Sequence, residues 1–298
     1  MAPLRVATRG SALARRQAER VVEMLDVAAE YVIVSTRGDE RRDLPIHAMG
    51  GTGVFVKEVE QAVLDGRADV AVHSAKDLPS ATPPELVLGA LPERGDPRDA
   101  LVGRALDDIP TGGRIGTGSV RRRAQFASVR PDLGFGELRG NIPTRLEKAG
   151  AFDAVVVAAA ALDRLGLADR IAERVDPSVV LPQVAQGALA VECRAGDDQT
   201  RTLLARIDDP GVRAAVVAER AFLARLGGGC NLPCGALAET ADDGSLQLDA
   251  LLGSLDGRVA LRTRVAGHDP EAVGSEAARR LIEEEGGRLV LDDEMVGG

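Results

Sequence analysis

The sequence predicts an α/β protein in which two doubly wound units are followed by a smaller α+β domain. Short apolar runs alternate with helical patterns over roughly the first 92 residues, and the same rhythm restarts after the turn-rich Pro92-Glu93-Arg94-Gly95-Asp96-Pro97. Beyond Pro210 the pattern changes to strands joined by a tight turn. The chain of 298 residues also exceeds one ordinary core, because single domains cluster near ~100–150 residues.

Taken in order, Leu4–Ala7 reads as a strand and Thr8-Arg9-Gly10-Ser11 as a turn, with Ser11 capping an amphipathic helix from Ala12 to Leu25. Tyr31–Ser35 is a second strand, Phe55–Leu64 a helix closed by Gly66, and Asp69–His73 a buried strand. Strands alternating with helices indicate a parallel sheet. After the Pro92–Pro97 hinge, Ile115–Thr117 and Ala154–Val157 are strands, with helices around Ala124–Val129 and ending near Leu165; Leu181-Pro182-Gln183 ends this unit. A long helix from Pro210 to Leu226 stops at Gly227-Gly228-Gly229, just before Cys230. Leu246–Leu252 and Val259–Arg264 form antiparallel strands about Asp256-Gly257, and a helix follows from Glu271 to Glu285.

Hydrophobic residues make up 45% of the chain but aromatics only 2%, with no Trp, so the core is built from Ala, Val and Leu and few rings exist for stacking bases. A net charge of −9 repels polyanions, which argues against nucleic acid as a partner. There is no signal peptide and no run of ~18 apolar residues, so a cytoplasmic protein without a membrane partner is expected. Three Cys argue against a disulfide framework.

The residues that could carry chemistry cluster at strand ends. His73-Ser74-Ala75-Lys76-Asp77-Leu78-Pro79 follows a buried strand, where ligands of open α/β sheets bind; a bare Lys-Asp pair also reads as a solvated turn. Arg9 and Ser11 occupy the equivalent place after the first strand. Gly116-Thr117-Gly118-Ser119 followed by Arg121-Arg122-Arg123 brings amides, hydroxyls and guanidiniums to one helix start, although a solvated basic helix face fits those residues equally. Leu138-Arg139-Gly140-Asn141, Thr144-Arg145 and Arg164 add further guanidiniums. Together they imply a cleft for a ligand with several carboxylates. Cys230 with Cys234 supplies two of the four ligands that zinc needs, so no metal is expected. A Cys in such a loop is either a structural thiol or a covalent tether, and Cys193 looks like core.

These segments, in this order, resemble the porphobilinogen deaminase family from Val6 to at least Pro233: Ala-Thr-Arg-Gly-Ser from Ala7, Thr-Arg-Gly-Asp from Thr36, Phe-Val-Lys-Glu from Phe55, His-Ser-Ala-Lys-Asp-Leu-Pro from His73, Asp-Pro-Arg-Asp from Asp96, Gly-Thr-Gly-Ser-Val-Arg-Arg from Gly116, Leu-Arg-Gly-Asn from Leu138, Arg-Leu-Gly from Arg164 and Gly-Gly-Cys from Gly228. The resemblance implies two periplasmic-binding-protein-like domains, 1–92 with 188–205 and 98–181, plus a third at 210–298. It implies a transferase that deaminates porphobilinogen, joins four units head to tail on a dipyrromethane primer bound covalently to Cys230, and releases hydroxymethylbilane by hydrolysis. Asp77 would be the catalytic residue. Lys76, Asp77, Thr117, Ser119, Arg121, Arg122 and Arg145 would hold the cofactor, and Arg9, Ser11, Gln17, Arg139, Arg145, Arg164 and Gln186 would meet substrate and the growing chain. A monomer is expected.

The sequence departs from the family pattern at Gly118, where Ser is common, at Thr52 in the Gly50–Gly53 loop, where Lys is common, and at Ala185, where Gly is common. Two rival readings are a non-catalytic binding protein for a small polyanion and a thiol hydrolase built on Cys230. The hydrolase would need His47, His73 or His268 as base, and none lies in a partner motif.

Overall fold

A computed structural model describes residues 2–36, 56–79, 82–227, 232–241 and 243–296. They form two compact units, Met1–Gly95 with Gly187–Arg213, and Asp96–Gln186 with Ala214–Gly298.

In the first unit, β1 (Leu4–Arg9), β2 (Ala29–Val34), β3 (Val70–Ser74), β4 (Leu86–Ala90) and β10 (Leu189–Arg194) form one sheet in the order β2-β1-β3-β10-β4. Strands β1, β2 and β3 are parallel. The helix α1 (Ala12–Leu25) starts at Ser11, whose Oγ accepts from the Ala14 N–H at 3.2 Å, and stops at Asp26, held in the left-handed region at φ 54°. It buries Ala18, Val21 and Leu25 against Val6, Val70, Val72 and Leu189. On the other face α2 (Lys57–Leu64) buries Val59, Ala62 and Val63 against Ala7 and Ala71. The period-2 alternation of each strand thus feeds two helix layers. A further helix, α6 (Asp198–Leu204), brings Leu204 into the α1-side core.

The sheet is mixed rather than wholly parallel. Strand β10 runs antiparallel to both β3 and β4, between which it inserts. An antiparallel neighbour needs no crossover helix, so the alternation of strands and helices along the chain does not reveal it. The sequence reading also omits β4, because Gly89 weakens its strand pattern; a Cβ there would meet Leu204 Cδ1 at 2.5 Å.

The second unit holds a sheet in the order β7-β6-β8-β5-β9, made of β5 (Asp99–Gly103), β6 (Arg114–Gly116), β7 (Gly134–Gly136), β8 (Ala154–Ala158) and β9 (Glu173–Arg174). Here β6, β7 and β8 are parallel and β5 is antiparallel to β8 and β9. Phe126 of α3 (Val120–Val129) packs with Leu101, Ile115 and Val156 on one face. Leu146 of α4 (Ile142–Glu147) and Leu162 of α5 (Ala159–Arg164) pack with Ala100, Val155 and Val157 on the other.

The same unit contains the antiparallel β11 (Cys234–Thr240), β12 (Leu246–Gly253) and β13 (Ala260–Gly267), with α7 (Pro210–Arg225) from Ala214 on, α8 (Pro270–Glu283) and α9 (Gly287–Val296). This is the expected smaller α+β assembly, with β11 added. Helices α7 and α8 cross where a Cβ on Gly274 would overlap the Ala218 carbonyl. Glu219, fully buried on α7, accepts from the Ala185 N–H at 2.6 Å and the Ala238 N–H at 2.9 Å. One carboxylate thereby ties the 185 loop to β11.

A polar layer lies in the first unit, on the strand faces shared with Ala71. His73 Nε2 sits 3.2 Å from Glu192 Oε2, both buried, and Glu60 of α2 is buried too. Burial pushes the Glu60 carboxyl above the ordinary glutamate range, Glu192 pushes the same way, and His73 and Lys57 oppose. A raised folded pKa contributes stability that is present below the unfolded value and lost as pH rises through the folded one. Urea unfolding of Glu60→Gln across pH 4 to 8 is therefore expected to show the variant gaining on the parent chain as pH rises above ~4.3, the unperturbed glutamate value; parallel stability curves would remove Glu60 as the cause.

Candidate anion-binding site

In the first unit the candidate residues gather at the carboxyl ends of the parallel strands β1 and β3. Arg9 ends β1 and Ser11 caps α1 directly after it. One turn along α1, the buried Gln17 donates from Nε2 to Ser74 Oγ at 2.8 Å, fixing the last residue of β3. A 3-10 turn over Ala75–Asp77 follows, anchored by the Ala75 N–H on the Ala188 carbonyl at 3.1 Å. Ala75 and Leu78 are buried on either side, so Lys76 and Asp77 stand half-buried on a fixed backbone.

In the second unit the equivalent strand ends carry the remaining donors. Thr117 follows β6, is buried, and accepts through Oγ1 from the Ser119 N–H at 3.2 Å. Ser119 caps α3, its Oγ accepting from the Arg122 N–H at 3.4 Å. Asn141 caps α4 by accepting from the Thr144 N–H at 3.1 Å, and Arg145 donates from Nε to the Gly140 carbonyl at 2.8 Å. Arg139 Nε lies 3.8 Å from Glu137 Oε2. Arg164 is the last residue of α5, and its neighbour Asp163 is held by Arg174 at 2.6 Å; Arg174 also reaches Asp96 at 2.8 Å.

Arg121 and Arg122 are not on a solvated helix face: they are 4% and 6% exposed and close on Asp99, which is fully buried at the start of β5. Arg121 donates to Asp99 Oδ2 at 2.7 Å and to the Leu181 carbonyl at 2.6 Å. Arg122 donates to Asp99 Oδ1 at 3.0 and 2.7 Å and to the Val156 carbonyl at 3.0 Å. Gln186 donates to Asp99 Oδ1 at 2.9 Å and to the Pro97 carbonyl at 2.8 Å. Burial alone would push the Asp99 carboxyl up, but the charges of Arg121 and Arg122, with hydrogen bonds from Arg122 and Gln186, outweigh it and hold the group well below the usual carboxylate range. Asp99 enters the sequence reading only as the last residue of the Asp-Pro-Arg-Asp segment, with no role; the signal for one is an acid opening the apolar strand Ala100-Leu101-Val102, where an unpaired charge could not stay buried.

The departures have structural meaning. A Cβ on Gly118 would lie 3.0 Å from the Leu138 carbonyl oxygen, so a Ser there requires that backbone to give slightly. Ala185 has φ 59°, the left-handed region that favours Gly. Thr52 and Cys230 lie outside the described residues. The described thiols, Cys193 and Cys234, are both buried.

Two family models match the chain, "Porphobilinogen deaminase, dipyromethane cofactor binding domain" over residues 4–202 and "Porphobilinogen deaminase, C-terminal domain" over 213–283. A porphobilinogen deaminase of Roseiflexus castenholzii is 48% identical over 97% of this chain and 98% of its own. Those of Brevibacillus brevis and Syntrophus aciditrophicus are 42% identical over 98% of each chain and 43% identical over 97% and 98%. Among solved structures, a Salmonella typhimurium periplasmic binding protein matches with a TM-score of 0.36 at 13% identity, over 71% of this chain and 96% of its own.

The burial of Arg121 and Arg122 sets how they fail. Removing one partner of a buried ion pair strands the other charge at a cost of about 3–5 kcal/mol. Arg122→Ala is expected to lose stability on that scale in denaturant titration, besides any loss of ligand. A loss below about 1 kcal/mol would mean that the pair with Asp99 contributes little.

Proposed function

The chain belongs to the porphobilinogen deaminase family, and on that premise we propose that Asp77 is its catalytic residue and Cys230 the thiol that carries its cofactor. It is a transferase of tetrapyrrole and heme biosynthesis, with a dipyrromethane cofactor, that polymerises porphobilinogen to hydroxymethylbilane. The bound cofactor supplies the free pyrrole position to which the first incoming unit is joined.

The observation that carries the residue assignments is the donor set around α3. Each substrate ring bears an acetate and a propionate, so the ligand gains two negative charges per unit added. Thr117 and Ser119 offer hydroxyls, and Arg121 and Arg122 together exceed the charge of Asp99 by one. That chemistry suits carboxylates, so these residues with Lys76 and Arg145 are assigned to the cofactor. Arg9, Ser11, Gln17, Arg139, Arg145, Arg164 and Gln186 are assigned to substrate and the elongating chain. The Asp77 carboxylate, held by the 75–77 turn, stabilises positive charge on pyrrole nitrogens and takes part in moving their protons.

Domain limits of 1–92 with 188–205, 98–181 and 210–298 belong to the same proposal, as do a monomeric state, a cytoplasmic location and the absence of nucleic-acid or membrane partners. The net charge of −9 supports the exclusion of nucleic acid. Among the described residues no helix is long and apolar enough to cross a membrane.

Asp77→Asn is expected to keep fold and cofactor while turnover falls by about two to four orders of magnitude, the usual range for a group acting in proton transfer; near-normal turnover would remove Asp77 from the reaction. For the tether, intact-mass spectrometry should find the chain plus two deaminated porphobilinogen units, with the extra mass on the peptide containing Cys230. Cys230→Ser should lack that mass and be inactive, while Cys193→Ser and Cys234→Ser retain it. An adduct on Cys234, or an active chain of unmodified mass, would overturn the assignment.

A further inference from the structure

We infer that Asp99 is a positioning residue for anion capture at the start of α3, setting both the orientation and the net charge of the Arg121–Arg122 pair. The inference rests on the reading that this pair serves a carboxylate-bearing ligand. Two guanidiniums offer ten N–H donors, and the hydrogen bonds to Asp99, Leu181 and Val156 engage five of them. Arg121 Nε is buried and has no hydrogen-bond partner among the described residues. The group therefore has donors without acceptors as well as one positive charge in excess.

A buried charge that stays unbalanced is costly, and its pairing requires an acceptor of fixed geometry. One monoanionic carboxylate both supplies the missing charge and accepts from the unused donors. Asp99 creates this condition. Its two oxygens are divided between the two arginines, Oδ2 to Arg121 and Oδ1 to Arg122, so neither guanidinium can rotate without losing a charge-assisted bond. Gln186 fixes the carboxylate in turn, spanning Asp99 Oδ1 and the Pro97 carbonyl. Without the Asp99 charge the pair would carry two positive charges on side chains anchored by the Leu181 and Val156 carbonyls alone. It would then favour compact dianions such as inorganic phosphate over a single carboxylate.

The test loads full-length apo-protein with porphobilinogen, reading the adduct by intact mass. It is run at a temperature at which circular dichroism finds wild type and Asp99→Asn both folded, with and without inorganic phosphate. Losing a charge-assisted contact corresponds to roughly tenfold. Asp99→Asn should therefore load about tenfold more slowly, and the phosphate concentration that halves its loading rate should fall by about the same factor. Phosphate should also raise the thermal midpoint of the variant more than that of wild type. A purely structural Asp99 would lower the midpoint but leave loading and phosphate sensitivity at wild-type values, which would overturn the inference. Should Asp99→Asn not fold, Asp99→Glu keeps the charge and displaces the carboxylate from the two guanidiniums, and loading at the wild-type rate would be equally fatal. A wild-type chain that gains no adduct would instead strike the underlying reading of the site.

Discussion

The second unit is organised around one carboxylate that cannot be exposed. Asp99 opens a strand whose next residues are core, so its charge must be met inside the protein, and two arginines from the first turn of α3 meet it. That pairing fixes where α3 starts relative to β5 and which carbonyls, at Val156 and Leu181, can be satisfied by guanidinium donors. It also explains why Arg121 and Arg122 do not form a surface patch. Charge held beneath a helix cap stays strong because water cannot screen it, whereas exposed arginines are weakened by solvent and salt.

The two α/β sheets apply one geometric rule. Parallel strands end on the same edge, and the turns that leave that edge begin helices whose first N–H groups lack intrahelical partners. In the first unit these turns carry Arg9, Ser11 and the Lys76-Asp77 pair; in the second they carry Thr117, Ser119 and Arg139, with Arg145 and Arg164 on the short helices that follow. The antiparallel strands β10 and β5 lie beside this edge without contributing such a turn. The candidate residues are concentrated where backbone polarity is already unbalanced.

Much of this was legible in the sequence because it depended on local signals. The cap at Ser11, the limits of α1 and the turn after β3 follow from neighbouring residues, and the structure reproduces α1 at Ala12–Leu25. What was hidden depended on partners distant in sequence. Gly89 reads as a strand breaker until Leu204 is known to press on it, and β10 reads only as an apolar run until it is seen pairing with β3 and β4. Arg121 and Arg122 look like a solvated face because their partner lies 22 and 23 residues earlier in the chain. The order of motifs identified the family, but no motif by itself disclosed that two of its arginines share a buried acid.

Ala185 carries a consequence for how this sequence can drift. Its φ of 59° admits Gly freely and Ala under strain, while β-branched side chains are shut out. The backbone cannot relax to accommodate them, because the Ala185 N–H is committed to Glu219, whose other oxygen serves β11. The allowed alphabet at 185 is thus written by a side chain 34 residues away. Lineages that keep the glutamate are held to residues that tolerate a positive φ at 185, and only those that lose it can explore the position, so the two sites are expected to evolve as a linked pair.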